Sequence, residues 1–426
     1  MRLTLLLVLS TTSLASGLAA QTGQPLVVRS TAAPCLTVRG TPASDGAPVA
    51  CIPPGTHVTG IATAPYWRRV RMIDGQIGWA AKKYLDASSD STITPAPSDT
   101  ARDDAWLEIH VVDVGQGDGI WIHTFDDGVP GNGRYEGRNI AIDGGPDASD
   151  AKNPFLAYLR QFAHEAAVMD ALIVSHPHND HYPGAEGVLR HFDVCDFYDA
   201  GYPDAGPAYA SFLDLARAGH CGAGTTTMHL GRGTFGQPDW GAELKVEFLW
   251  AWPGSATGLG SSNTRVNNAS IVMKLTYGTQ SMLFMGDAEG KERDDPPDTP
   301  KFVEARLLAD VGAARLKSTV LKVAHHGSET SSTLPFIRAV DPAIVIVSSG
   351  RRSFGGTHLP DASTLQRYCS YNPAIRIYRT DQDDEAEHRT TATDADGDDI
   401  VIRMNGKRTE VIARSNHNPF VTTSCN

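Results

Sequence analysis

Short apolar runs alternate with amphipathic stretches between about residue 105 and residue 405, a pattern typical of a chain that alternates strands and helices. The predicted strands are 107–113, 119–124, 139–143, 171–175, 244–249, 270–276, 281–285, 319–323, 343–348 and 400–403. The predicted helices are 153–166, 183–190, 208–218, 300–315, 332–339 and 361–369. This alternation predicts an α/β (α+β) domain in which helices cover the sheets.

The N-terminal part of the chain has a different pattern. Residues 24–87 carry short alternating runs separated by Gly and Pro turns, which predict a small β-barrel. Residues 88–104 are rich in Ser, Thr, Asp and Pro and predict an exposed linker. The main domain is therefore expected at 105–414, with a C-terminal tail at 415–426.

Residues 1–20 have the pattern of a secretory signal peptide. Arg2 precedes the apolar run 3–9, and small residues follow to Ala20. A membrane anchor is the alternative, although the apolar run is short for a bilayer span. We therefore expect a secreted or periplasmic protein with no transmembrane segment in the mature chain.

Charge and cysteine content add two constraints. The net charge of −12 over 426 residues argues against a protein that coats nucleic acid through its net field, but it leaves a locally basic cleft open. Six cysteines fit an oxidising compartment. The pairs Cys35–Cys51, Cys195–Cys221 and Cys369–Cys425 are predicted, although six cysteines allow about fifteen pairings.

Four potential metal ligands follow the apolar run 171–174. His176, His178, Asp180 and His181 fall within six positions. A strand that ends in such a loop directs two imidazoles at one point, and a carboxylate and a third imidazole at a neighbouring point. Neutral imidazoles and carboxylates suit zinc. The alternative is a His-rich surface loop that binds no metal.

Further motifs lie before and after the His-rich loop, and their order and approximate spacing match those of one known family. The chain resembles the metallo-β-lactamase superfamily, and more narrowly the hydrolase domain of ComEC-type competence proteins, over roughly residues 105–405. The motifs that carry this resemblance are the D-V-G-Q-G-D turn at 113–118 and the segments 140–145, 267–272, 285–287, 325–328 and 357–360. The resemblance implies an αββα sandwich of two mixed sheets flanked by helices.

The resemblance also implies one or two zinc ions, with manganese as the alternative. The implied metal ligands are His176 and His178 for the first ion, Asp180, His181 and His325 for the second, and Asp287 as the bridge. His325 is preferred to His326 because adjacent residues of an extended chain point in opposite directions. His326 is then expected to pack or to contact substrate.

The first ion lacks the further histidine that a dinuclear β-lactamase-like site has. The candidates His191, His220 and His229 have no convincing strand-end context, and the family has an Asn-Asn-x-Ser segment here, at 267–270. The first ion is therefore expected to bind weakly, with Asn268 or water completing its ligands. A single firmly bound ion is the alternative.

Other residues are assigned to orienting and catalytic roles. Asp143 is expected to orient a ligand imidazole, and Asp180 to position the attacking water. His358 is expected to contact substrate or to protonate the leaving group. Ser328 is expected to donate to a substrate oxygen or to act as a turn residue, and Asp118 to brace the loop beneath the site.

The N-terminal unit resembles bacterial SH3-like domains. The segments 36–42 and 78–85 match the pattern of that family. The resemblance implies binding of peptidoglycan or another wall polymer through residues 24–87, with a passive spacer as the alternative.

Together these features predict a secreted metal-dependent hydrolase. A phosphodiesterase or nuclease that acts on DNA, a nucleotide or a phosphate-bearing wall polymer is the leading hypothesis. The alternatives are a cell-wall-binding protein with an inactive hydrolase domain, and a β-lactamase or other amide or ester hydrolase.

Overall fold

The structure is a computed structural model, and it describes residues 24–32, 35–40, 44, 48–63, 66–72, 77–87, 106–124, 137–163, 168–241, 244–350, 352–354, 356–381 and 398–413. The predicted signal peptide, the linker 88–104 and the tail 415–426 lie outside these residues. The described residues belong to two compact units, one within 24–87 and the other from 106 onward.

The first unit is an antiparallel sheet of seven strands in the order β3-β2-β6-β5-β4-β1-β7. The strands are β1 (Gln24–Val28), β2 (Leu36–Arg39), β3 (Pro48–Ile52), β4 (His57–Thr63), β5 (Trp67–Arg71), β6 (Ile77–Ala81) and β7 (Leu85–Ala87). Val38, Val70 and Ala80 are fully buried in its core. The alternating pattern thus forms the expected strands, while the SH3-like resemblance stays a prediction.

The second unit contains eighteen strands and eight helices among the residues described. Its strands are β8 (Leu107–Val111), β9 (Gly119–His123), β10 (Asn139–Asp143), β11 (Met169–Val174), β12 (Val194–Asp199), β13 (His220–Cys221), β14 (Gly224–Thr225), β15 (Thr227–Leu230), β16 (Leu244–Trp250), β17 (Val272–Tyr277), β18 (Gln280–Phe284), β19 (Val320–Lys322), β20 (Ile344–Val347), β21 (Ser353–Phe354), β22 (Thr357–His358), β23 (Arg376–Arg379), β24 (Ile400–Met404) and β25 (Thr409–Ala413). Its helices are α1 (Pro154–Phe162), α2 (Ala185–His191), α3 (Gly206–Arg217), α4 (Ser262–Asn267), α5 (Phe302–Arg306), α6 (Ala313–Leu316), α7 (Leu334–Val340) and α8 (Ala362–Tyr371).

Two mixed sheets form the centre of this unit. One has the order β15-β12-β11-β10-β9-β8-β24-β25, and the other has the order β16-β17-β18-β19-β20-β23. Their facing side chains make one buried cluster, in which Ile140 and Ile173 of the first sheet pack with Met273 and Phe284 of the second. Because apolar residues fill both faces of each sheet, helices must cover the outer faces.

The helices do cover those outer faces. Phe155 of α1 packs in a cluster with Leu172 of β11, and Phe336 of α7 packs in a cluster with Leu321 of β19. The predicted αββα sandwich is therefore confirmed.

One predicted helix is interrupted. The segment predicted as a helix at 300–315 forms α5, a π-turn at Leu307–Val311, and α6. Gly312 ends the π-turn with φ of 80°, a conformation that the helix cannot continue.

Two of the three predicted disulfides lie within the described residues. Cys35–Cys51 and Cys195–Cys221 are paired, with Cα–Cα distances of 5.4 and 4.6 Å. Cys369 is also disulfide-bonded, and its predicted partner Cys425 lies outside the described residues. No helix in the described ranges is both long and apolar enough to cross a membrane.

Candidate metal site

The His-rich loop lies where two parallel strands end together. β10 pairs in parallel with β11, so Asp143 and the loop that starts at Ser175 meet at one edge of the first sheet. Asp143 Oδ1 accepts a hydrogen bond from Ser175 N at 2.7 Å, and Asp143 Oδ2 accepts from Ser175 Oγ at 2.7 Å. His181 Nδ1 lies 2.8 Å from the same Oδ2 atom. Asp143 thus holds the start and the end of the loop, and its role in orienting a ligand imidazole stays a prediction.

Two glycines allow the neighbouring loops to approach this one. A Cβ on Gly184 would lie 1.7 Å from Gly144 O, and a Cβ on Gly117 would lie 2.1 Å from Asp180 O. Gly117 also has φ of 144°, which side-chain-bearing residues rarely adopt. The loop that bears Asp118 can therefore contact the His-rich loop only because residue 117 has no side chain.

The second sheet contributes a central carboxylate. Asp287 follows β18, and its backbone N donates to Ser270 Oγ at 2.9 Å. Its Oδ2 atom lies 3.3 to 3.6 Å from the Nε2 atoms of three imidazoles, those of His176, His181 and His326. Asp287 is thus common to both halves of the cluster, which is the position required of a bridging ligand.

Asp180 completes the second half of the cluster. Its two carboxylate oxygens lie 3.8 Å from His181 Nε2 and 3.6 Å from His326 Nε2. His178 lies on the other side, with Nδ1 3.0 Å from His176 Nε2. The loop therefore brings together the four side chains on which the metal hypothesis was built.

These atoms fit a divalent cation by spacing and by their lack of other partners. Tetrahedral ligands at about 2.0–2.2 Å from zinc lie about 3.3–3.6 Å from one another, close to the separations around Asp287. Within the described residues, four buried atoms at the site have no hydrogen-bond partner: His181 Nε2, His326 Nε2, Asp287 Oδ1 and Asp118 Oδ1. Such an atom costs about 1–3 kcal/mol, and a bound cation would remove that cost.

Hydrogen bonds on the far side of two imidazoles set their orientation. His181 Nδ1 is satisfied by Asp143, and His326 Nδ1 donates to Ser348 O at 2.8 Å. The proton is therefore assigned to Nδ1, and the lone pair of Nε2 faces the cluster in each case. This is the tautomer that a cation requires.

The electrostatic field of the cluster favours positive charge. Burial alone raises the pKa of Asp287, but the nearby charges of His326, His181 and His176 outweigh it and hold the pKa well below its usual value. Burial likewise lowers the pKa of His181, but Asp287 and Asp143 raise that pKa well above its usual value. The carboxylates that stabilise a proton on the imidazole would equally stabilise a metal ion.

The preference for His325 over His326 needs correction. His326 is buried and faces Asp180 and Asp287, whereas the side chain of His325 is 24% exposed and lies 3.2 Å from Glu289 Oε1 and 3.1 Å from Thr330 Oγ1. Both histidines have left-handed backbones, with φ of 50° and 53°, so the alternation rule for extended chain does not apply. The ligand assignment therefore moves to His326 and stays a proposal.

This correction predicts different metal contents for two matched variants. His326→Ala is expected to lose about one bound ion per chain, because its Nε2 is one of the converging atoms. His325→Ala is expected to keep the wild-type metal content. Elemental analysis of both purified proteins measures this, and the reverse result would restore the assignment to His325.

Asp118 and Lys322 form an ion pair within the site that the sequence analysis missed. Lys322 Nζ donates to Asp118 Oδ2 at 2.7 Å, and both side chains are almost fully buried. Asp118 Oδ1 lies 3.6 Å from His326 Nδ1. Burial raises the pKa of Asp118, but the charge of Lys322 outweighs it and the net pKa is lowered. A lysine at the end of an otherwise apolar buried strand was the available signal.

Asn268 and Ser328 have supporting roles. Asn268 is fully buried, its Nδ2 donates to Leu259 O, and its Oδ1 accepts from Glu289 N. Its amide thus braces the backbone instead of facing the converging atoms, so the expectation that Asn268 completes the first ion's ligands is not supported. Ser328 Oγ lies 3.0 Å from Thr330 Oγ1 and accepts from Thr330 N at 3.3 Å, which is the turn role that was left open.

The other candidate histidines from the sequence lie outside the cluster in the described part of the chain. His358 is exposed on β22 and belongs to none of the four candidate metal-binding groups found among the described residues. His191 Nε2 contacts Asp150, and His229 Nε2 lies 2.8 Å from Asp196 Oδ1.

Asp118 belongs to two of the four candidate metal-binding groups. The structure therefore places Asp118 closer to the converging ligand atoms than the bracing role predicted from the sequence.

Comparison with known proteins identifies a matching sequence family and several relatives. The sequence family described as the Metallo-beta-lactamase superfamily matches residues 134–351. Recombination protein 2 of Haemophilus influenzae is 27% identical over 275 residues, which are 63% of this chain and 27% of that protein. ComE operon protein 3 of Bacillus subtilis is 25% identical over 295 residues, 66% of this chain and 33% of that protein. The chain thus spans about a third or less of the length of these relatives.

Solved structures also align with part of the chain. Zn(2+)-bound PqqB from Methylobacterium extorquens aligns with 10% sequence identity and a TM-score of 0.36, over 64% of this chain and 97% of that chain.

Proposed function

Given that this chain belongs to the metallo-beta-lactamase superfamily, we propose that it is a metal-dependent hydrolase that cleaves phosphodiesters. The observation that carries the proposal is the convergence of His176, His181 and His326 on Asp287. Asp180 lies beside two of these histidines, His181 and His326. A cluster of buried imidazoles and carboxylates with partnerless ligand atoms is costly to maintain unless it binds a cation.

The donor set suits zinc, with manganese as the alternative. The residues proposed to hold the first ion are His176, His178 and Asp287, and those proposed for the second are Asp180, His181, His326 and again Asp287. His178 belongs to none of the candidate metal-binding groups found among the described residues, so the first ion is expected to bind more weakly than the second.

The chain's own residues would orient water and substrate. A divalent cation supplies Lewis acidity, which withdraws charge from a phosphoryl oxygen and makes water more acidic. Asp180 lies at the partly open face of the cluster and accepts hydrogen bonds only, so it would orient an attacking water. This position supports the catalytic role proposed for Asp180.

The rim of the site offers a donor to substrate. Glu289 is buried, and it lies within hydrogen-bond distance of both Asn267 Nδ2 and the imidazole of His325. With its ring held in this way, His325 would donate to a phosphate oxygen without losing further rotamer freedom. Protonation of the leaving group by His358 stays a prediction from the sequence.

Nucleic acid is the proposed substrate class, since the curated relatives include proteins named Recombination protein 2 and Competence protein ComA. Secretion or a periplasmic location is proposed with it, supported by the two disulfides of the described residues.

The test is to measure metal content and turnover on the full chain. We expect one to two bound ions, hydrolysis of bis(p-nitrophenyl) phosphate and of DNA, loss of both activities on chelation, and recovery with zinc or manganese. His178→Ala combined with Asp180→Ala should abolish turnover. The matched control, His220→Ala with Asp204→Ala, changes exposed residues of the same types and should remain active. Absence of metal and of turnover after supplementation would favour the wall-binding alternative.

A further inference from the structure

Charge is divided unevenly along the chain. Residues 24–87 contain seven Arg and Lys against three Asp and Glu, a net charge of +4, whereas residues 88–426 contain 29 against 46, a net charge of −17. The unit that carries the candidate metal site is therefore strongly acidic, and it repels a polyanionic substrate at low ionic strength. The basic unit has the opposite effect.

The basic unit contains a groove of about 770 Å³, within the usual size range of ligand sites. Its lining includes two kinds of side chain, the aromatic residues Tyr66, Trp67 and Tyr84 and the cationic residues Lys82 and Lys83. The backbone joins these segments, because Lys82 N donates to Tyr66 O at 3.1 Å. We call these five residues the aromatic-basic groove.

The side chains of this groove are available to a ligand. Tyr66 is 81% exposed, the most exposed large apolar side chain among the described residues. Lys82 and Lys83 are exposed, and neither forms an ion pair with any residue in the described part of the chain. The nearby Asp86 is paired with Arg29. Lys83 Nζ instead lies 4.7 Å from the centroid of the Tyr84 ring.

One exposed ring, that of Tyr66, and two half-buried rings lie beside ammonium groups that have no ion-pair partner among the described residues. This combination has the chemistry of a single-strand binding site. Bases stack on aromatic faces, and lysines contact the phosphates between them. A neutral glycan would use the rings but not the lysines, and a duplex keeps its bases stacked on one another. We propose that the aromatic-basic groove binds single-stranded nucleic acid.

This proposal deepens the proposed function and rests on it for the link to hydrolysis. Because the basic unit and the acidic unit belong to one chain, a strand held by the first has a high effective concentration at the second. The groove should therefore lower the KM for a polymeric substrate and leave turnover of a small phosphodiester unchanged.

Binding can be measured separately from catalysis. The full chain in chelator is titrated against a fluorescein-labelled oligothymidine, and anisotropy gives the Kd. The groove variant is Tyr66→Ala with Lys82→Gln and Lys83→Gln. The charge-matched control is Lys152→Gln with Lys317→Gln, which alters two exposed lysines of the acidic unit. We expect the groove variant to bind at least about tenfold more weakly than the control.

Two further readouts decide the matter. The slope of log Kd against log salt should fall by about 1.4, the value for two lost phosphate contacts on a single strand. Turnover of bis(p-nitrophenyl) phosphate should equal that of the control, so a failure of the hydrolase proposal is seen separately. Equal Kd values for groove variant and control would overturn the groove proposal, as would loss of peptidoglycan binding with unchanged oligothymidine binding. Tyr66→Ala alone serves if the triple variant is unstable.

Discussion

Replacing Asp287 with asparagine is expected to lower kcat for bis(p-nitrophenyl) phosphate by about a thousandfold or more. Asp287 Oδ2 is the atom shared by His176, His181 and His326, and asparagine removes the negative charge at that point with almost no change in shape. Loss of several kcal/mol of electrostatic stabilisation in the transition state corresponds to about three powers of ten. The same substitution should reduce the number of bound ions, measured by elemental analysis.

The control for this prediction is Asp298→Asn. Asp298 belongs to the segment that follows Asp287, and it is exposed. The substitution therefore makes the same change from aspartate to asparagine outside the cluster of candidate metal ligands. It should retain wild-type kcat and metal content. A folded Asp287→Asn protein with kcat within about threefold of wild type would rule out a bridging role for Asp287.

Replacing Lys322 with methionine is expected to lower the free energy of unfolding by about 3–5 kcal/mol. Lys322 and Asp118 form an almost fully buried pair, with an N–O distance of 2.7 Å. Methionine fills a similar volume but leaves the Asp118 carboxylate buried without its partner. The free energy is measured by urea unfolding in chelator, since a bound cation would otherwise compensate the orphaned carboxylate.

A surface ion pair with the same N–O distance is the control for the buried pair. Lys317 Nζ also lies 2.7 Å from a carboxylate oxygen, that of Asp341, but its side chain is 68% exposed. Lys317→Met should cost at most about 1 kcal/mol because water screens that pair. The double variant Asp118→Asn with Lys322→Met should be more stable than Lys322→Met alone. If Lys322→Met and Lys317→Met lowered the free energy of unfolding equally, burial would not set the strength of the ion pair between Asp118 and Lys322.

Local patterns in the sequence were sufficient for most of the fold. Strands such as β10, β11 and β18 are buried on both faces, so they form continuous apolar runs that end in polar loops. Their order and the motifs at their ends predicted the sandwich. The same motifs named His176, Asp180, His181 and Asp287, whose side chains lie together in the structure. The strands β12 and β15 were missed because each carries polar residues at the less buried side of the sheet.

The sequence-based predictions failed where a residue's role depended on its backbone conformation or on an ion pair with a residue far away in the sequence. Choosing His325 over His326 assumed an extended chain, and tandem left-handed residues at the end of β19 cannot be read from side-chain type. The pair of Asp118 and Lys322 joins residues 204 positions apart. No local pattern reports such a contact, although a buried lysine always requires some partner.

The cluster is assembled from both sheets, so a cation bound as proposed would act as a clamp between the two halves of the sandwich. His176, Asp180 and His181 follow strands of the first sheet, whereas Asp287 and His326 follow strands of the second. Neither half alone presents a complete set of ligands, and capture of the ion must wait until the sheets have docked. At a free ion concentration about a hundred times the Kd, that capture would add about 2.7 kcal/mol to the docked state. Metal loading would thereby distinguish finished molecules from half-folded ones.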